Sequence, residues 1–95
     1  MIVENMISPN GNPVANQFII HHDGKTYFQS YRSLIAVLGD WGHGDVCLID
    51  GLWDMYSATT NKYLNQFLGT EGIDEIRERV ASGEYRVVTR AGALI

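Results

Sequence analysis

The feature that most constrains this chain is Asp23-Gly24. It lies between Gln17-Phe18-Ile19-Ile20-His21-His22 and Lys25-Thr26-Tyr27-Phe28-Gln29-Ser30, two runs rich in aromatic and β-branched residues. An Asp-Gly pair tolerates positive φ at both positions, as required by the type I′ turn, whose twist matches that of the strands it joins. With no bulge, such a turn sets Ile20 against Tyr27 and Ile19 against Phe28. One face of the hairpin then carries Phe18, Ile20 and Tyr27, and the other carries Ile19 and Phe28. A sheet wet on one side alternates more cleanly than this, so helices or a partner chain are expected to cover part of the second face.

The rest of the chain extends the sheet and then adds helices. Ile2 to Ile7 reads as a strand, and Ser8-Pro9-Asn10-Gly11-Asn12-Pro13 is turn chemistry that returns the chain into Val14 to His22. Leu34 to Leu38 and Val46 to Ile49 are short apolar runs, predicted as central strands. They are joined by Gly39-Asp40-Trp41-Gly42-His43-Gly44-Asp45, too glycine-rich for a helix. Ser57 is placed to cap a helix with Tyr63, Leu64, Phe67 and Leu68 on its apolar face and Gly69 at its end. A second helix is predicted from about Ile73 to Ser82, with Ile73, Ile76 and Val80 on one side and Gly83 as its stop. Glu75 and Arg79 stand four apart in the favourable order. Glu84 to Arg90 reads as a closing strand and Ala91 to Ile95 as a tail. The 95 residues supply material for one core, so residues 1–95 are expected to form a single domain. The predicted class is α+β: an antiparallel sheet of four to five strands, two short helices between sheet strands, and a C-terminal strand. The first helix is expected to pack across one face of the sheet.

Composition narrows function mainly by exclusion. With 7 Lys and Arg against 11 Asp and Glu, the net charge of −4 disfavours a broadly basic binder of nucleic acid or anionic membrane. The single Cys cannot form an internal disulfide. No apolar run approaches a membrane span, and Met1-Ile2-Val3-Glu4 lacks the basic start of a signal peptide, so the expected compartment is the cytoplasm.

Each chemically suggestive residue also has a plain structural explanation. Cys47 sits among Val46, Leu48 and Ile49 and reads as a small core residue rather than a nucleophile. His21 and His22 are adjacent on a strand and point to opposite faces, which prevents them from sharing an ion. His43, flanked by Asp40 and Asp45, has the donor types of a divalent-metal site, but its spacing matches no zinc or calcium loop. No phosphate-binding loop is present, and helix capping accounts for Ser57, Thr59 and Thr60. No catalytic centre, metal or cofactor is therefore predicted. One asymmetry stands out. Between Arg32 and Lys62 there is no basic residue, while Asp40, Asp45, Asp50 and Asp54 share that interval with Trp41 and Trp53. Asp40, Trp41, His43, Asp45, Asp50, Trp53 and Asp54 thus form a candidate partner-binding surface, with aromatic anchors and carboxylates suited to a basic groove on another protein. The competing explanation puts one Trp in the core and the aspartates in turns. A thinner strip of Lys25, Arg32, Arg86 and Arg90 with Tyr27 and Tyr85 would form if the closing strand paired beside the hairpin.

Several strings taken together resemble a family of short, uncharacterised proteins of tailed bacteriophages and prophages. They are Ala15-Asn16-Gln17-Phe18-Ile19-Ile20, then Tyr27-Phe28-Gln29-Ser30-Tyr31, then Tyr56-Ser57-Ala58-Thr59-Thr60-Asn61-Lys62-Tyr63-Leu64-Asn65-Gln66-Phe67-Leu68-Gly69. The resemblance runs from about Ser8 to Tyr85, with a longer loop at Gly39 to Asp45 and an additional residue at Met55. It implies a phage protein acting inside a bacterial host and carries over no residue-level mechanism. The leading expectation is a non-enzymatic binding protein that inhibits a host protein, such as a CRISPR effector or other defence nuclease. The alternative is a small nucleic-acid-binding accessory or regulatory protein. A homodimer is also expected to suit an exposed edge strand and a second apolar face.

Overall fold

The computed structural model describes residues 1–39, the backbone of 46–48, and residues 53–87. Strands β1 (Ile2–Ile7), β2 (Pro13–His22), β3 (Lys25–Ser30), β4 (Ser33–Leu38) and β5 (Val46–Leu48) precede helices α1 (Ala58–Leu68) and α2 (Ile73–Ala81), and β6 (Arg86–Val87) follows. The strands form one sheet in the order β1-β2-β3-β4-β5-β6. The first five run antiparallel to their neighbours, and β6 pairs parallel to β5. A parallel neighbour cannot be reached by a tight turn, and the helical segment between β5 and β6 provides the crossover it needs. The α+β class, with two helices preceding a C-terminal strand, is as the sequence predicts.

The central hairpin follows its turn chemistry. Asp23 and Gly24 both have positive φ, at 52° and 75°. Ile20 pairs with Tyr27 and Ile19 with Phe28. The Ser8 to Pro13 turn is closed by the Gly11 N–H donating to the Ser8 carbonyl at 2.8 Å and the Ser8 N–H to the Asn12 carbonyl at 2.8 Å.

A bulge between β3 and β4 departs from simple alternation. Phe28 pairs with Ala36 but Gln29 with Leu34, leaving Ile35 as an extra residue. Ile35 and Ala36 are adjacent and yet both belong to the helix-side core, because the bulge turns Ile35 inward. Leu34 and Val37 are thereby left to the opposite face.

Both helices pack on the side of the sheet that carries Phe28. Ser57 caps α1, accepting from the Thr60 N–H at 3.2 Å, and Gly69 ends it in the left-handed conformation at φ 73°. The Phe67 ring stacks on Phe28 with centroids 5.6 Å apart. Met6, Phe28, Ile35 and Ala36 from the sheet meet Trp53, Tyr63, Leu64, Ile76 and Tyr85 in one buried cluster. Helix and sheet are also tied by a polar chain, in which Ser57 Oγ donates to Thr60 Oγ1 at 3.2 Å and Thr60 Oγ1 lies 2.9 Å from Ser30 Oγ. α2 is braced along its exposed side by Arg79, which bonds Glu75 at 2.9 Å, contacts Glu84, and lies over the Tyr85 ring.

Candidate functional site

Most of the acidic segment singled out in the sequence, namely Asp40, Trp41, His43, Asp45 and Asp50, lies outside the described residues. The two members within them have different surroundings. Trp53 is in the helix-side core at 6 % exposure, where its indole serves packing. Asp54 is exposed, and its carboxylate stands 4.0 Å from Arg77 Nε, a distance at which solvent leaves little net attraction.

The strand order does not bring the described members of the basic strip together, and Arg90 lies outside the described residues. β6 lies against β5, with β4 and β5 between it and the hairpin strand β3, so Arg86 and Lys25 are on different strands well apart in the sheet. Tyr85 is buried at 5 % exposure rather than displayed. Burial is the main cause that pushes its phenol above the ordinary tyrosine range.

The histidines divide between faces as strand geometry requires. His21 is opposite Thr26 and within 3.5 Å of the Glu4 carboxylate, whereas His22, opposite Lys25, lines a groove on the other face. Among the described residues, no group of three or more His, Cys, Asp and Glu is placed to hold a metal ion.

That groove belongs to the face of the sheet turned away from the helices, and cross-strand register builds it. Val3 pairs with Ile20 and Ile20 with Tyr27, while Phe18 pairs with Gln29 and, past the bulge, Gln29 with Leu34. Two rows of side chains therefore cross four strands on one face. They enclose an open groove of about 570 Å³ lined by Met1, Val3, Phe18, Ile20, Tyr27 and Leu34, with His22 and Gln29 as its polar members. Gln29 Nε2 donates to the Tyr31 carbonyl at 2.7 Å, which fixes the amide beside the apolar floor. Exposure rises towards the rim, from half-buried Phe18, Ile20 and Tyr27 to Leu34 at 39 %, Val3 at 55 % and Met1 at 84 %. The hairpin register anticipated Phe18, Ile20 and Tyr27 on this face. Both helices lie on the opposite side, against Phe28, and so do not cover these residues, although Val37 on the groove face is fully buried. Leu34 was not foreseen as a groove residue, since its place depends on the bulge.

An apolar concavity with a few fixed polar groups is the usual form of a docking or ligand surface. Sheet and site together define a small α+β protein whose helices cover one sheet face while much of the other presents apolar side chains. The chain belongs to a family of unknown function (DUF8033), whose model matches residues 1–83. No curated protein and no solved structure matches it. Among the described residues, no helix is long and apolar enough to cross a membrane.

Proposed function

We propose that this protein acts by binding another macromolecule rather than by catalysis, and that the groove on the sheet face opposite the helices is the surface it uses. The observation that carries the reading is the groove itself, where exposed Met1, Val3 and Leu34 adjoin the half-buried Phe18, Ile20 and Tyr27. A contiguous apolar patch of this kind marks an interaction surface, because its hydration is relieved when a partner fills it. In its narrower form the partner is a host protein and the consequence is inhibition, with a defence nuclease as the target. Support for that form comes from the resemblance to phage proteins and from the carboxylates Asp40, Asp45, Asp50 and Asp54, which suit a basic groove.

The test uses the chain as bait in nuclease-treated bacterial lysate, with Leu34→Lys and Asp54→Asn run beside it. One host complex retained by the wild type and lost with Leu34→Lys is the expected result. Capture that survives Leu34→Lys but fails with Asp54→Asn would move the contact to the acidic segment. Recovery of nucleic acid alone from untreated lysate would favour the nucleic-acid-binding alternative.

A further inference from the structure

We propose that a second copy of the chain joins this one edge to edge through β1, so that two sheets become one and their apolar faces run on as a single surface. The inference rests on reading the face opposite the helices as a docking surface, and it names the partner that extends that surface.

Strand β1 is at the edge of the sheet, so half of its backbone N–H and C=O groups point away from β2, and among the described residues no strand receives them. Natural edges are usually blunted by Lys, Pro, a bulge or shortness. β1 is six residues long, Ile2-Val3-Glu4-Asn5-Met6-Ile7, and holds one charge and neither Lys nor Pro. Its register shift comes only at the far end, between Asn5 and Ile7. Ile2 and Val3, at the regular end, are 60 % and 55 % exposed. Apart from Glu4 and the irregular end near Ile7, whose carbonyl accepts from Gln66, the strand's chemistry does not discourage pairing, and another extended strand can satisfy its outward groups.

Continuity favours a second copy. The row Val3, Ile20, Tyr27 runs to the edge and stops there. An identical sheet added across β1 carries the same row onward, so the two grooves lie side by side on one surface.

The sequence of β1 also selects the register. Antiparallel partners that face each other share a side of the sheet, so a two-fold junction must be centred on a residue paired with itself. Centring on Glu4 would oppose two carboxylates directly, which is unfavourable. Centring on Asn5 would run the pairing into the irregular end, and centring on Ile2 would leave little strand to pair. Centring on Val3 sets Val3 against Val3 of the second copy and Ile2 against its Glu4, with the symmetry axis on the apolar row. A junction of about five residues per chain is at the small end of specific interfaces, well under about 800 Å² per partner, so the dimer is expected to be weak and reversible.

Sedimentation equilibrium of the whole chain from about 1 μM to 1 mM, a range that brackets weak association, reads this directly. The wild type should pass from monomer to dimer within that range, and Val3→Asp should weaken the association at least about tenfold through the apposed charges. Circular dichroism and thermal unfolding of Val3→Asp, a substitution at an exposed site, should match the wild type and so separate lost pairing from lost folding. As a second variant, Val3→Cys under mild oxidation should give a covalent dimer whose linking peptide, by mass spectrometry, joins position 3 to position 3. A wild type that stays monomeric throughout, a dimer indifferent to Val3→Asp, or cross-linking only through Cys47 would each overturn the proposal. If the chain is monomeric and Leu34→Lys still abolishes host capture, only the self-pairing fails; if Leu34→Lys leaves capture intact, the docking reading fails independently.

Discussion

The two faces of the sheet are built from the same strands and similar residues, yet they differ in what covers them. On the helix side Phe28 and Ile35 are fully buried, and the Phe67 ring lies against Phe28. On the other side Ile20 and Tyr27, directly paired across the same strands, are only half-buried, and Val3 and Leu34 are more exposed still. The lesson is that apolar content alone does not mark a core. What distinguishes the faces is the parallel crossover, which places both helices on one side. Stability should therefore depend chiefly on the helix-covered face, with buried Val37 contributing from the other, and binding on the open groove.

The sharpest way to break that division is to truncate a residue on each side. Phe28→Ala leaves a void under α1 and should cost about 3–5 kcal/mol in urea unfolding. Leu34→Lys, at a partly exposed site across the same sheet, should stay within about 0.5 kcal/mol of the wild type. Comparable losses from the two substitutions would mean that the bare face is also a core.

Gln17 tests the covered face from within. Its side chain is buried at 1 % exposure, and neither amide atom meets a hydrogen-bond partner among the described residues. A buried amide left unpaired costs about 1–3 kcal/mol, so Gln17→Met, similar in length and apolar, should raise stability by roughly 1 kcal/mol or more. A loss instead would show that the amide is satisfied in solution, most simply by a buried water.

A smaller effect belongs to the cap that holds α1 against the sheet. Ser57→Ala removes the acceptor for the Thr60 N–H and one link of the polar chain to Ser30, and should cost about 1 kcal/mol. Ser57→Asp retains a capping oxygen and should recover most of it.

The smallest effect is the acid response of α2. Glu75 accepts the Glu71 N–H and the Arg79 guanidinium, and these bonds, the backbone one foremost, hold its carboxyl below the ordinary 4.5. A depressed folded value means that the stabilisation is present above the unfolded pKa and is lost as pH falls through the folded one. Melting temperature should therefore drop below about pH 4.5 slightly more steeply in the wild type than in Glu75→Gln. Parallel slopes would show that the pair contributes nothing to stability.

What the sequence disclosed was local. Asp23-Gly24 fixed its own turn and the register beside it, and Ser57 with Gly69 bounded α1, because the chemistry of each is contained within a few residues. Long-range outcomes were not legible. The parallel placement of β6 depends on a crossover over the whole helical segment, and the inward turn of Ile35 depends on a bulge that no Gly or Pro announces. Tyr31, at φ 55°, turns β3 into β4 without any residue typical of that conformation. The candidate surface grouped Trp53 with Trp41, whereas Trp53 is claimed by the core, as the competing explanation of one core Trp expects. The bare face itself was half-legible: the hairpin showed that both sides carried apolar residues, but which side the helices would take was decided elsewhere in the chain.

The most direct measurement of the division between the faces is native-state binding of an anilinonaphthalene-sulfonate dye, which fluoresces on exposed apolar surface. The folded wild type should enhance the dye, Leu34→Lys should remove most of the enhancement, and Met55→Lys, at an exposed site outside the groove, should leave it unchanged. A dark wild type, or a signal that ignores Leu34→Lys, would contradict the open apolar face on which the account rests.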